Sequence, residues 1–191
     1  AVAAWFDAGT GARLRVVGGP ACDQPFHDGT IVAAWNGEAF NLARDSAEGD
    51  DGGDLRPTVA AFKARGAAAF SEVRGPFAAA FADAAAKSLT LARDPLGVRP
   101  LYVHVGSDGV RAASEPWPLI EGLGPAATFD PEALAHLFAY QFPPVDRGLV
   151  RGVDPVLPGS VRTFEADDRG GARERAATRC DYLGAGEDDL G

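Results

Sequence analysis

The stretch GPFAAAFADAAAKSLTLARDPLGVRPLYVHVGSDGVRAASE, residues 75–115, limits the fold more than any other part of the chain. Its strand-like pieces are separated by turn signals at DAAAK, RDPLG and GSDG, and strands joined by turns this short pair with their neighbours antiparallel. The stretch therefore predicts a four-stranded antiparallel meander. On propensity alone the alanines of FAAAFADAAAK score as helix, but the turns on either side assign strand.

The rest of the chain is read around that meander. Apolar runs at Val2 to Phe6, Leu14 to Val17 and Ile31 to Trp35 predict short strands, separated by GTG, GGPACDQP and HDGT. The acidic, glycine-rich EGDDGGD offers no apolar partner and predicts a loop. In LRPTVAAFKAR the residues Leu55, Val59 and Phe62 fall at helical spacing, with Lys63 and Arg65 near the end and Gly66 as a stop. A second helix is predicted over FDPEALAHLFAY, with Asp130 as N-cap, Pro131 in the first turn and an apolar stripe of Leu134, Leu137 and Phe138. LVRGVDPVLPGSVRTFEA predicts two strands about a proline-glycine turn. Beyond Ala166 the charged, glycine-rich run predicts a linker or disordered end, so the expected division is one domain over 1–166 and a tail over 167–191.

A chain of 191 residues with 46% hydrophobic letters can bury a real core. Its net charge of -9 comes without a basic cluster, which excludes a nucleic-acid groove or an anionic membrane surface as the expected partner. Cys22 and Cys180 are far apart and have no second ligand at metal spacing, so neither a disulfide framework nor a metal site is expected. Both cysteines are read as buried or bystander thiols. The opening run AVAAWFD is too short to span a bilayer and lacks the features of a signal peptide, so a cytoplasmic location is expected. His27, His104 and His136 are placed in a loop, a strand and a helix, with surface or packing roles.

One element suggests chemistry. TIVAAWNGEAFN sets Asn36, Gly37 and Glu38 at the end of an apolar strand, where a sheet delivers groups to a site. An Asn amide beside a glycine N–H suits a developing oxyanion, because glycine lets backbone approach substrate closely. Asn-Gly is also a common turn dipeptide, and spacing alone favours the turn.

The run ARDPLGVRPLYV, with GPFAAAFAD before it and ASE after it, resembles the class II glutamine amidotransferase domain at the front of asparagine synthetases, beta-lactam synthetases and lasso-peptide cyclases. AVAAWFD resembles that domain's first strand, DQPFHDGTIVAAWNGEAFN the strand and loop of its oxyanion motif, FDPEALAHLFAYQFPP a late helix, and VDPVLPGSV the closing hairpin. The resemblance implies an α+β fold, a four-layer alpha-beta-beta-alpha sandwich of two antiparallel sheets of the N-terminal-nucleophile (Ntn) hydrolase type, here reduced. It also implies a mechanism, in which an N-terminal cysteine uses its own α-amino group as base and attacks the glutamine amide, and ammonia passes to a second domain.

By the same resemblance Asn36 and Gly37 match the oxyanion pair, and Glu38 the acidic residue that helps hold glutamine. Arg13 matches the arginine that pairs with its carboxylate, and Asp54 the aspartate near its amino group. Arg56 stands where the family carries a glutamate. Arg93 and Asp94 match an element assigned to structure. No cofactor is implied in this domain, since ATP and magnesium belong to a synthetase domain or subunit, and no Ser-Gly-Gly-x-Asp-Ser phosphate loop occurs.

Two departures shape the expectation. Ala1 stands near the position of the nucleophile, and the long segment with an Arg-Gly-Pro-Asp element that covers glutamine in the family is reduced to AGTGARLRVVGGPACD. A domain without glutaminase activity, acting as scaffold or interface for the synthetase, is therefore expected first. An active amidotransferase whose cysteine lies upstream comes second. A stand-alone amino-acid-binding module using Arg13, Asn36, Glu38 and Asp54 comes third.

Overall fold

The computed structural model describes residues 24–42, 54–166 and 172–179, together with the backbone of strands at 2–7 and 11–16. Among the described residues eleven strands and three α-helices follow in chain order. The first four strands are β1 (Val2–Asp7), β2 (Gly11–Val16), β3 (Phe26–His27) and β4 (Ile31–Gly37). Helix α1 (Leu55–Arg65) runs on into a 3-10 segment, Gly66–Glu72. The meander consists of β5 (Phe77–Asp83), β6 (Ser88–Arg93), β7 (Tyr102–Gly106) and β8 (Gly109–Ala113). Then come α2 (Trp117–Leu123), α3 (Pro131–Tyr140), β9 (Asp154–Pro155), β10 (Ser160–Ala166) and β11 (Ala172–Arg179).

The strands form two antiparallel sheets, one ordered β2-β1-β8-β7-β9 and the other β11-β10-β6-β5-β4-β3. The meander therefore does not stay in one sheet: β5 and β6 belong to the six-stranded sheet, β7 and β8 to the five-stranded one, and the RDPLGVRP segment crosses between them.

The alternation of β5 explains why an alanine-rich run is strand. Phe77, Ala79 and Phe81 face outward onto α1, where they join Leu55, Val59, Phe62 and Phe70. Ala78, Ala80 and Ala82 face inward with Leu89 and Leu91 and meet Val103, Val110 and Ala112 of the other sheet. Small side chains on the inner face suit close packing of the two sheets, and period 2 here outweighs helical propensity. On the far side, Ala113 of β8 packs with Leu119 of α2, Val150 and Val153. The layers run α1, six-stranded sheet, five-stranded sheet, α2, which is the expected α+β sandwich of two antiparallel sheets.

Asp130 caps α3 as predicted, its Oδ1 accepting from Glu132 N at 2.9 Å and Ala133 N at 3.0 Å. Four details differ from the sequence expectation. His27 lies in the short strand β3 rather than in a loop. The chain continues past Gly66 as a 3-10 segment, and α2 was not expected. Residues 172–179, expected within a linker or disordered tail, form β11 along the edge of β10. That strand is held by backbone pairing and by the Arg162 guanidinium, which donates to Glu174 at 2.8 Å from both Nε and Nη2. Ala1, Cys22, Cys180 and the acidic stretch up to Gly53 lie outside the described residues.

Candidate functional site

Asn36 and Gly37 are the last two residues of β4, not a turn beyond it. The strand is held from its edge by Gln24, whose Nε2 donates to Trp35 O at 2.7 Å and whose Oε1 accepts from Trp35 N at 2.9 Å. One side chain thus supplies both bonds that a neighbouring strand would make. Past the strand, Glu38 N donates to Pro76 O at 2.9 Å and Phe40 N to Arg74 O at 2.7 Å.

Gly37 has φ +147, and a Cβ built there would stand 2.0 Å from Pro76 O and 2.6 Å from Phe77 Cα. The position thus accepts only glycine, for reasons of conformation and of backbone approach together. Asn36 is half-buried, and no hydrogen bond engages its side chain among the described residues. Together with Ala78–Ala80, Leu101, Ala112 and Ser114 it lines a cavity of about 10 Å³ between the sheets. The β1–β8 ladder ends at Ala3 and Ala113, so the start of β1, Ser114 and Asn36 gather at one end of the sandwich.

Asp54 is buried just before α1, and its side chain makes no helix cap. Its Oδ2 instead accepts from Ala39 N at 2.7 Å, tying the segment after Gly37 to the start of α1. Glu38 between them is exposed. Arg13 is fixed in backbone register opposite Trp5 on β2, and its side chain lies outside the described atoms. The structure therefore brings Asn36, Gly37, Glu38 and Asp54 to one region and places the Arg13 backbone in the neighbouring sheet. Arg56, at the position of the family's glutamate, sets its guanidinium 5.8 Å from the Phe26 ring centroid, so it pins β3 against α1.

Arg93 and Asp94 hold the crossing between the sheets. Asp94 is buried and accepts from Leu96 N, Val98 N and Arg99 N at 3.0 to 3.1 Å and from Phe77 N at 3.3 Å. The Arg93 guanidinium donates to Arg99 O, Val156 O and Gly97 O. Burial pulls the Arg93 pKa below its usual value, opposed by the charge of Asp94.

Gln24 and Ser114 carry site geometry that sequence reasoning missed. ASE stands beside the motif quoted for the resemblance, but only the sheet order shows that its Ser114 reaches the Asn36 end. Among the described residues no cluster of His, Cys, Asp and Glu is arranged to hold a metal, and no helix is long and apolar enough to cross a membrane.

The Asn-Gly pair ends β4 near the start of β1, at one end of two stacked antiparallel sheets, and sequence comparison assigns the family. The family model of the glutamine amidotransferase domain matches residues 4–174, and the chain belongs to that family. A putative glutamine-hydrolysing asparagine synthetase of Mycobacterium tuberculosis is 32% identical over 147 residues, covering 71% of this chain and 22% of the relative. Asparagine synthetase 1 of Bacillus subtilis is 30% identical over 164 residues, covering 81% of this chain and 26% of the relative. The chain thus spans about a quarter of the length of these relatives. Among solved structures, the allosteric regulatory enzyme of purine biosynthesis aligns over 95% of this chain and 43% of its own at 14% identity and a TM-score of 0.52, a likeness of fold.

Proposed function

We propose that the chain is the glutaminase-type domain of an asparagine-synthetase-like, ATP-dependent amide-forming enzyme, kept as a scaffold with glutamine hydrolysis lost. The observation that carries this reading is the register of β1 against β2. Asp7 pairs with Gly11, so only residues 8–10 join the two strands, and only residues 17–23 separate β2 from Gln24. Neither connection has the length for a segment that closes over bound glutamine. Closure of such a lid excludes water and completes a catalytic constellation. A domain without that length retains the frame of the site and not its cover.

A scaffold role is supported by the surface around α3. Phe138 is 82% exposed, Tyr140 62%, Phe142 54% and Val145 76%, and α3 buries only Ala133 fully. An apolar face of this kind on a monomer marks a contact surface. The proposed partner is the synthetase domain or subunit, which supplies the ATP and magnesium site and closes an amide or a ring with an amine other than glutamine-derived ammonia.

The test uses the whole natural protein, with glutamate release from glutamine and ATP consumption followed in parallel. The reading expects no glutamate above background, with ATP turnover supported by an amine substrate or ammonium. Glutamate release abolished by a thiol-directed glutamine analogue would overturn it, and N-terminal sequencing of that protein would then identify the nucleophile.

A further inference from the structure

The end of the six-stranded sheet away from Asn36 carries a separate recess. It lies at the start of β4, about 20 Å along that strand from Gly37, and its volume of about 510 Å³ is in the usual range for small-molecule sites. One wall is apolar, formed by Ile31, by Phe62 in the last turn of α1, and by Gly66 and Ala67 beyond it. The facing wall is the outer face of β6 and β10, with Ser88, Thr90 and Thr163.

Strand register accounts for the two walls. Cross-strand partners share a face, so Ile31, Asp83, Ser88 and Glu165 form one row over β4, β5, β6 and β10, and Ala33, Phe81, Thr90 and Thr163 form the next. Helix α1 packs on the apolar part of these rows, Ile31, Ala33 and Phe81, and the hydroxyl part lies beside it. A merely solvated sheet face would be exposed, yet Ser88 is 7% exposed and Thr90 2%. The Thr90 and Thr163 hydroxyls bond to each other at 3.2 Å, while no hydrogen bond engages the Ser88 side chain among the described residues. At the rim the register of β11 skips a residue: Thr163 pairs with Ala176 and Phe164 with Glu174, so Arg175 stands opposite no residue of β10. That bulge brings the Arg175 guanidinium to Glu165 across the edge of the recess.

The charges on the walls cancel, Lys63 and Arg175 against Asp83 and Glu165. Each of them is also engaged: Arg175 with Glu165, Lys63 with Asp28, and Asp83 Oδ1 with Ala85 N and Ala86 N, both at 2.9 Å. An ion of either sign would be repelled by the like charges and would have to displace a partner already in place. A neutral molecule meets neither obstacle. To use both walls it needs hydroxyls for Ser88, Thr90, Thr163 and the spare carboxylate lone pairs, and a hydrocarbon face for Ile31 and Phe62. A sugar ring carries both.

We propose that this recess binds a neutral sugar, a hexose or a disaccharide, with Ser88 and Thr163 bonding its hydroxyls and Ile31 and Phe62 meeting its C–H face. The site stands at the opposite end of β4 from the Asn36–Gly37 element, and requires neither a nucleophile nor a synthetase partner.

Saturation-transfer NMR and calorimetry on the whole natural protein test this, with D-glucose, D-galactose and maltose as neutral probes and glucosamine and glucose 6-phosphate as charged ones. At least one neutral sugar is expected to bind with a Kd below about 10 mM, and S88A and T163V each to weaken it about threefold or more. The charged sugars are expected to bind no more tightly than the best neutral one. S107A, which removes an exposed hydroxyl between β7 and β8, serves as the control and is expected to bind as wild type does. Thermal melts separate lost binding from lost folding, and S88A, whose hydroxyl makes no bond among the described residues, keeps the test informative if T163V melts early. The proposal is overturned if no neutral sugar binds at about 10 mM, if a charged sugar binds more tightly than every neutral one, or if folded S88A binds as well as wild type.

Discussion

Gly37→Ala provides the sharpest test of how the Asn36–Gly37 element is built. The new Cβ would lie 2.0 Å from Pro76 O, 2.6 Å from Phe77 Cα and 2.9 Å from Pro76 C, all backbone atoms that cannot swing aside. Pro76 O also accepts the Glu38 N–H, and Phe77 is the register partner of Gly37, so relief requires moving β5 away from β4. Backbone strain at φ +147 adds about 1–3 kcal/mol, and overpacking with a displaced pair of strands adds about 1–3 more. A total near 4 kcal/mol is a large share of the usual 5–15 kcal/mol and lowers Tm by about 8–16 °C for a domain of this size. Gly29→Ala is the matched control: φ is +91, yet nothing stands within 4 Å of the added Cβ, so only strain remains. Melting curves by circular dichroism with urea titrations give both numbers. The reasoning fails if G37A melts within about 2 °C of wild type, or loses no more stability than G29A.

Other substitutions probe separate parts of the argument. Asp94→Ala removes the acceptor of four backbone N–H groups and is expected to cost about 4 kcal/mol or more, while Asp94→Asn, which keeps one acceptor oxygen, costs about half as much; urea midpoints compare the two. Asp130→Ala removes the cap of α3 and is expected to cost about 1 kcal/mol, read as a Tm loss of a few degrees. Asp28 accepts from Ile31 N and Thr30 N and pairs with Lys63, and these bonds, the Ile31 one first, hold its pKa far below the usual 3.8. Its contribution is therefore present above pH 3.8 and is lost as the pH falls below it, so the stability gap between wild type and D28N is expected to hold steady down to about pH 5 and to shrink as the pH falls from there to about pH 2 in urea titrations. Asn36→Ala is expected to change stability by under about 1 kcal/mol, read from urea midpoints, because its amide is unpartnered among the described residues.

The legible parts of the fold are those where local pattern and tertiary demand agree. The turns at DAAAK and GSDG and the period-2 faces of β5 were enough to assign strands against the pull of alanine toward helix. The α3 helix was marked by Asp130 and Pro131. The strand β11 was not legible, because ARERAATR is exposed almost throughout and has no apolar face to announce itself; backbone pairing and the Arg162–Glu174 fork hold it. Gln24 left no signal either, since a side chain imitating a strand obeys no spacing rule. Likewise Ser114 stood beside a recognised motif, but its approach to Asn36 depends on β7 and β8 crossing to the second sheet.

Much of what makes this end of the molecule look like an active site also holds the fold together. Gly37 is required by the approach of Pro76, Asp54 by the Ala39 N–H, and Asp94 by the crossing loop. These residues would persist in a chain under selection for stability alone, so their presence does not report glutamine hydrolysis. Asn36 is different in kind, because no hydrogen bond engages its side chain among the described residues. The separation of the two classes is what makes the site testable: substitutions at Gly37 and Asp94 act first on folding, while substitution of Asn36 leaves the fold nearly untouched.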